Sequence, residues 1–177
     1  MRYLYFLSVL LCIIPGTVSQ AGVFTVPFIG PTYSNVDLED SNTLVLEGVE
    51  GNLNMIFIPQ GSQNIFQFFS IGIVGGVQNG KDKVSDTKYE NTYQELEVSW
   101  GPFVYGQGSR KTAYKTLDNE AVTVDSTQTT LSVILGWPSV YYREYTYEDE
   151  TTALGFTEEY GIMIKVPLYY LLGATSF

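Results

Sequence analysis

The sequence predicts an all-β fold, an antiparallel up-and-down β-barrel of about eight strands, and three observations carry that expectation. Tyr (14) and Phe (10) are abundant alongside Val, Ile and Thr, residues that suit a pleated, half-buried surface. No window spaces its apolar residues three and four apart as an amphipathic helix would, whereas several alternate apolar with polar or glycine at every second position. The connections between the later runs switch between tight Pro- or Gly-marked steps and longer charged segments, the habit of a meander with turns at one end and loops at the other.

The first element is a processing signal. Arg2 precedes an apolar stretch from Leu4 to Ile14, Pro15-Gly16 breaks it, and Ser19-Gln20-Ala21 places small residues last and third-last before a cleavage point. Cleavage after Ala21 leaves Gly22 as the mature N-terminus. The apolar run is short for a bilayer core of ~30 Å, so it reads as an export signal instead of an anchor. Cys12 lies inside that run, and Val9-Leu10-Leu11 before it lacks the small residue of a lipoprotein site. Residues 22–41, GVFTVPFIGPTYSNVDLEDS, read as an N-terminal segment or an extra strand, with the barrel domain occupying 42–177.

Strands are expected over roughly 42–49, 52–59, 64–77, 91–100, 103–116, 128–136, 139–147 and 154–168. In NIFQFFSIGIVGGVQ, Phe69, Ile71 and Ile73 oppose Phe68, Ser70, Gly72 and Gly76. In YQELEVSW, Leu96, Val98 and Trp100 oppose Glu95, Glu97 and Ser99. FTEEYGIMIKV sets Tyr160, Ile162, Ile164 and Val166 against Glu159, Gly161, Met163 and Lys165. SWGPFVYG and GWPSVYY both end an alternating run at Trp and Pro and restart with Val-Tyr, so Trp100 and Trp137 are expected beside short turns at one end. Pro167 requires a bulge or a strand end, because a closed barrel has no free edge for a missing N–H. The segments NGKDKVSDTKYE, LDNEAVTVDS and EDETT are read as loops at the other end.

Composition excludes several classes. Removal of residues 1–21 takes away Arg2 and Cys12, so the formal charge moves from −10 to −11 and no cysteine or histidine remains. A cysteine-free exported chain suits a bacterial envelope better than a eukaryotic secretory route. Acidity with scattered Lys and Arg excludes a nucleic-acid partner. Without histidine there is no Ser-His-Asp triad, Cys-His dyad or His-rich zinc site. Glu158-Glu159 face opposite sides of a strand, Glu95/Glu97 read as a solvated row, and GIVGGVQNG lacks the helix and lysine of a phosphate loop. The acidic groups 37–40, 148–150 and Asp82/Asp86 lack calcium-loop spacing. No catalytic, cofactor-binding or metal residue is assigned, and the chain is read as not an enzyme.

Alternation alone fits a soluble sheet with its apolar face in a core and a membrane barrel with that face in lipid. The signal MRYLYFLSVLLCIIPGTVSQA, the runs at 64–77, 94–100, 128–137 and 156–166, the Trp-marked turns and the terminal Phe177 resemble small eight-stranded outer-membrane β-barrels of Gram-negative bacteria. That resemblance implies an outer-membrane location, contact with membrane lipid and lipopolysaccharide, and insertion by the barrel-assembly machinery. An aromatic girdle is then expected from Trp100, Trp137, Tyr145 and Tyr147. The opposite face would gather Glu95, Glu97, Arg143, Glu159 and Lys165 in a lumen too narrow to stay empty. Three functions follow as expectations: a structural, adhesive or accessory barrel without an open pore; a soluble periplasmic or secreted barrel or sandwich binding a ligand or partner; and a narrow cation-selective channel.

Overall fold

A computed structural model describes residues 22–38, 43–62, 64–82, 84–115, 121–135, 138–147, 154 and 156–168. The signal, Trp137 and Phe177 lie outside these residues. The strands are β1 (Gly22–Asp37), β2 (Thr43–Ile58), β3 (Phe69–Lys81), β4 (Lys88–Trp100), β5 (Phe103–Lys115), β6 (Ala121–Ile134), β7 (Pro138–Tyr147), β8 (Glu158–Ile164) and the two-residue β9 (Val166–Pro167). Each pairs antiparallel with its sequence neighbour from β1 to β8, and β1 also pairs with β8, so the sheet closes into an eight-stranded barrel. β9 adds a short further pairing to β1.

Closure carries a stagger. Following direct partners once round from Phe103, through Val133, Val140, Ile162, Tyr33, Glu47, Asn79 and Glu90, returns to β5 at Ala113, ten positions further along. With ~3.4 Å per residue and ~4.8 Å between strands, that stagger tilts the strands by about 40°. Such a barrel has an interior just wide enough to be filled by side chains.

Several boundaries differ from the sequence reading, each for a physical reason. The segment left open at 22–41 contributes β1, the strand that closes the barrel. The two expected strands at 42–49 and 52–59 are one strand, β2, in which Glu50 and Asn52 continue the inward alternation of Leu44 and Leu46. A polar VEGN reads as a turn only where the sheet interior is apolar. At the loop end, half or more of NGKDKVSDTKYE and LDNEAVTVDS is strand, with Tyr89 and Val124 pointing inward. The connections there shrink to 82–87 and 116–120. The reverse holds for 64–68, where a 3-10 turn, Ile65–Gln67, precedes β3.

The required strand end at Pro167 is present. Between β8 and β9 the ladder to β1 is interrupted opposite Gly30 and Pro31, and the same register resumes at Ile29↔Val166. Pro31 has no N–H to give there. A Cβ on Gly30 would stand 1.5 Å from the Ile164 carbonyl oxygen, so only glycine admits this close approach. At the tight turn, Gly101 takes φ 58° at the first position between Trp100 and Phe103, as hairpin turns of this length favour.

Candidate functional site

The barrel interior is a network of buried charges. Arg143 on β7 is its centre: Nη2 donates to Glu50 Oε2 at 2.7 Å and Nε to Thr130 Oγ1 at 3.1 Å. Glu95 Oε1 and Glu159 Oε1 lie 3.5 and 3.6 Å from the same guanidinium. Its planar cation also sits over the rings of Tyr93 and Tyr141, at 4.4 and 4.5 Å from their centroids. Glu159 accepts from Gln78 at 3.0 Å, from Tyr141 at 2.7 Å, from Arg110 at 2.9 Å and from the Tyr145 hydroxyl. Glu95 accepts from Thr130 at 2.6 Å and from Gln128.

Towards the short-turn end the network ends in Lys165, whose ammonium contacts Glu97 at 3.0 and 3.1 Å and Glu50 at 3.2 Å. Among the described residues, Glu50, Glu95, Glu97 and Glu159 therefore face Arg110, Arg143 and Lys165. Isolated ions in such a space are prohibitively costly, and pairing with multiple hydrogen bonds is what makes their burial tolerable. At the loop end of the barrel Val36, Leu44, Leu46, Tyr145 and Phe156 form a buried apolar cluster. Phe156 meets Tyr145 edge-on at 5.9 Å, and the Tyr147 hydroxyl donates to the Phe156 carbonyl.

Arg143, Glu95, Glu97, Glu159 and Lys165, singled out in the sequence, thus meet inside one barrel. Glu50 and Arg110 were missed. Arg110 shares the inward parity of Val104, Gly106 and Thr112 along β5, a signal the sequence carries, while Glu50 was hidden by the apparent turn.

The aromatic girdle needs correction. Tyr145 is buried beneath Arg110, and Tyr147 packs on the apolar cluster, so neither lines an outer wall. In VYYREYTY the parity of Arg143 carries Tyr141, Tyr145 and Tyr147 inward and leaves Tyr142 outward. Among the described residues Tyr33, Tyr142 and Tyr160 point outward at the upper edge of the apolar belt, with Tyr142 and Tyr160 directly paired and their rings 5.1 Å apart. Trp100 does point outward, 70% exposed. Its indole N–H donates to the Phe66 carbonyl at 2.6 Å, tying the 59–68 connection to the wall.

The outer wall carries the complementary feature. Outward positions on all eight strands are apolar towards the short-turn end, among them Leu53, Ile73, Leu96, Leu131, Val140 and Ile162. Each strand then crosses to polar residues: Tyr105 to Gln107, Leu131 to Thr129, Tyr142 to Glu144, Tyr160 to Glu158, Tyr33 to Asn35, Val49 to Glu47, Val77 to Asn79 and Leu96 to Gln94. With the tilt included, these crossings form a closed ring at one height to within about 10 Å. On β3 the belt runs from Phe69 to Val77, about 20 Å along the barrel axis. It is shorter on β4 to β6, where the tight turns end the wall.

No family model, curated protein or solved structure matches the chain.

Proposed function

We propose that the chain is an exported outer-membrane β-barrel with a structural, adhesive or accessory role and a filled interior in place of a pore. The observation that carries this reading is the inversion of polarity: a closed belt of exposed apolar side chains surrounds a wall whose inward positions hold Arg, Lys and Glu. A soluble barrel that binds its ligand in an apolar core would have the opposite arrangement. Strands β1 to β7, each 10 to 16 residues long, exceed or match the roughly 9–11 residues that a tilted transmembrane strand needs. The paired charges and the apolar cluster above them oppose a cation conduit, since Glu95 and Glu97 are already engaged by Gln128, Thr130, Arg143 and Lys165.

Fractionation of a Gram-negative host expressing the full chain tests the location. The expected result is recovery in the outer membrane, resistant to alkaline extraction, and full recovery in the periplasm or medium would end the reading. Planar-bilayer recording tests the filled interior. Purified protein is expected to give no steady single-channel steps, and reproducible steps abolished by Glu95→Gln with Glu97→Gln would make the barrel a channel.

A further inference from the structure

Neither edge of the apolar belt is perpendicular to the barrel axis. With strands slanting by about 40°, one residue along a strand changes height by about 2.5 Å, and one step to a direct partner, taken from β5 towards β6, raises it by about 3 Å. On that scale, counted upward from Phe103 through the closing registers, the crossings from apolar to polar on β4, β5 and β6 lie at about 8–11 Å. Those on β7, β8, β1, β2 and β3 lie at about 13–17 Å. Outward tyrosines follow the incline: Tyr105, Tyr142 and Tyr160 each end the belt on their strand, at about 5, 12 and 15 Å.

The lower edge inclines the same way. Val23, Phe57 and Phe69, at the lower ends of β1, β2 and β3, lie about 6–13 Å below Phe103, whereas Leu135, Pro138 and Val166 lie within about 2 Å of it. Because the strands slant, the first group sits beneath the crossings of β4 and β5 and the second beneath those of β8, β1 and β2. Both edges therefore descend on one side of the barrel, and their separation stays at about 16–20 Å. A drop of about 8 Å across a barrel roughly 16 Å wide at the backbone and roughly 26 Å wide at its side-chain tips is a slope of about 20°.

Nothing within the wall offsets the low side. Among the described residues Gln107 and Thr129 make no side-chain hydrogen bond, and Gln94 has only the Ser109 hydroxyl, at 3.4 Å. In an upright barrel Gln94 and Gln107 would share the depth of Tyr33 and Val49 and face hydrocarbon, where an unpaired amide is costly. We infer that the barrel leans in its bilayer by about 20°, its loop end tipped towards β8 and β1, so that lipid covers an inclined band and Gln94 and Gln107 stand among water and headgroups. The inference rests on the membrane reading and specifies which outward side chains each sector gives to lipid.

Nitroxide labels on single cysteines test this through their collisions with oxygen, which concentrates in hydrocarbon, and with a water-soluble nickel chelate. Protein purified after export is reconstituted in phosphatidylcholine vesicles. Gln94 and Tyr33 share one height along the barrel axis, Gln107 and Val49 a second, and Leu135 and Ile71 a third near the lower edge, each pair to within about 1 Å. The expected result is a several-fold higher chelate-to-oxygen ratio at 94 than at 33, at 107 than at 49, and at 135 than at 71. Equal ratios within the pairs would describe an upright barrel and overturn the inference. Protection of 94 and 107 from the chelate, the sign of a second copy or another protein on that side, would overturn it too. So would differences at the upper pairs with none at the lower pair, the sign of a local dip in the bilayer. Gel mobility of unheated samples establishes that each variant has formed the barrel, and the other two pairs decide the matter if Tyr33→Cys does not fold. Ready access of the chelate to all six positions would remove the membrane reading and this inference together, whereas equal ratios within pairs with 49 and 71 shielded would remove this inference alone.

Discussion

Arg143 shows how single residues hold this barrel together. Its guanidinium meets Glu50, Glu95 and Glu159 from three other strands while two tyrosine rings cover its faces. Arg143→Met would leave those carboxylates facing one another with fewer cations, and removal of one partner from a buried ionic cluster typically costs about 3–5 kcal/mol. Urea unfolding of the reconstituted barrel is expected to register a loss of that size, with a smaller loss when Glu159→Gln is combined with it. Asp82, in the connection above β3, gives a separate test outside the belt. The Ser85 hydroxyl and the N–H groups of Val84 and Ser85 donate to its carboxylate and lower its pKa. A lowered folded-state value means that the contribution is complete above the ordinary aspartate range and is lost as pH falls through the folded value. The protection factors of the Val84 and Ser85 amides, their exchange measured against the intrinsic rate at each pH, should therefore stay high at neutral pH and fall on acidification, and Asp82→Asn should weaken that pH dependence.

At the scale of the strand, the seam between β1 and β8 is the step that makes a sheet into a barrel. Gly30 lies where the Ile164 carbonyl leaves no room for a side chain, so Gly30→Val is expected to prevent closure. The folded fraction, read from the gel mobility of unheated samples, should fall to a small remainder. Gly51→Ala should fold normally, since the added Cβ comes no closer than 3.7 Å to the Phe28 carbonyl oxygen. This seam was also the least legible part of the sequence. GVFTVPFIGPTYSNVD carries Pro27 and Pro31, which argue against a paired strand until the interruption opposite Pro31 is known. The runs around Leu96, Leu131 and Ile162 were readable because apolar outward and polar inward residues alternate without a break. Glu50-Gly51 was not, because a buried charge on an inward position has the composition of a turn. The lumen residues followed from parity along β4, β7 and β8, whereas Tyr145 and Tyr147 were placed by proximity to a strand end, and parity overrides proximity. The shared Trp-Pro-Val-Tyr pattern marks a shared end but not a shared face, since Val104 points inward and Val140 outward.

The described strands form a tilted barrel with a network of paired charges inside and a belt of apolar side chains outside. That arrangement dictates where substitutions matter. An arginine at an outward site within the belt, such as Leu131→Arg, should cost roughly 2–4 kcal/mol if lipid surrounds it and far less if water does. The same change at Thr127, above the ring of crossings, should be nearly neutral; unfolding titrations in vesicles of one lipid compare the two. Orientation of the faces is the central claim, and single cysteines read it without relying on stability. Residues 22–177 contain no cysteine, so Leu96, Leu131 and Ile162 can be replaced one at a time by cysteine, with Thr127 and Thr92 as outward controls above the belt. In intact cells exporting the protein, a membrane-confined maleimide is expected to label positions 96, 131 and 162 and to leave 92 and 127 to a water-soluble reagent. Equal labelling of all five positions by the water-soluble reagent would contradict the lipid-facing belt.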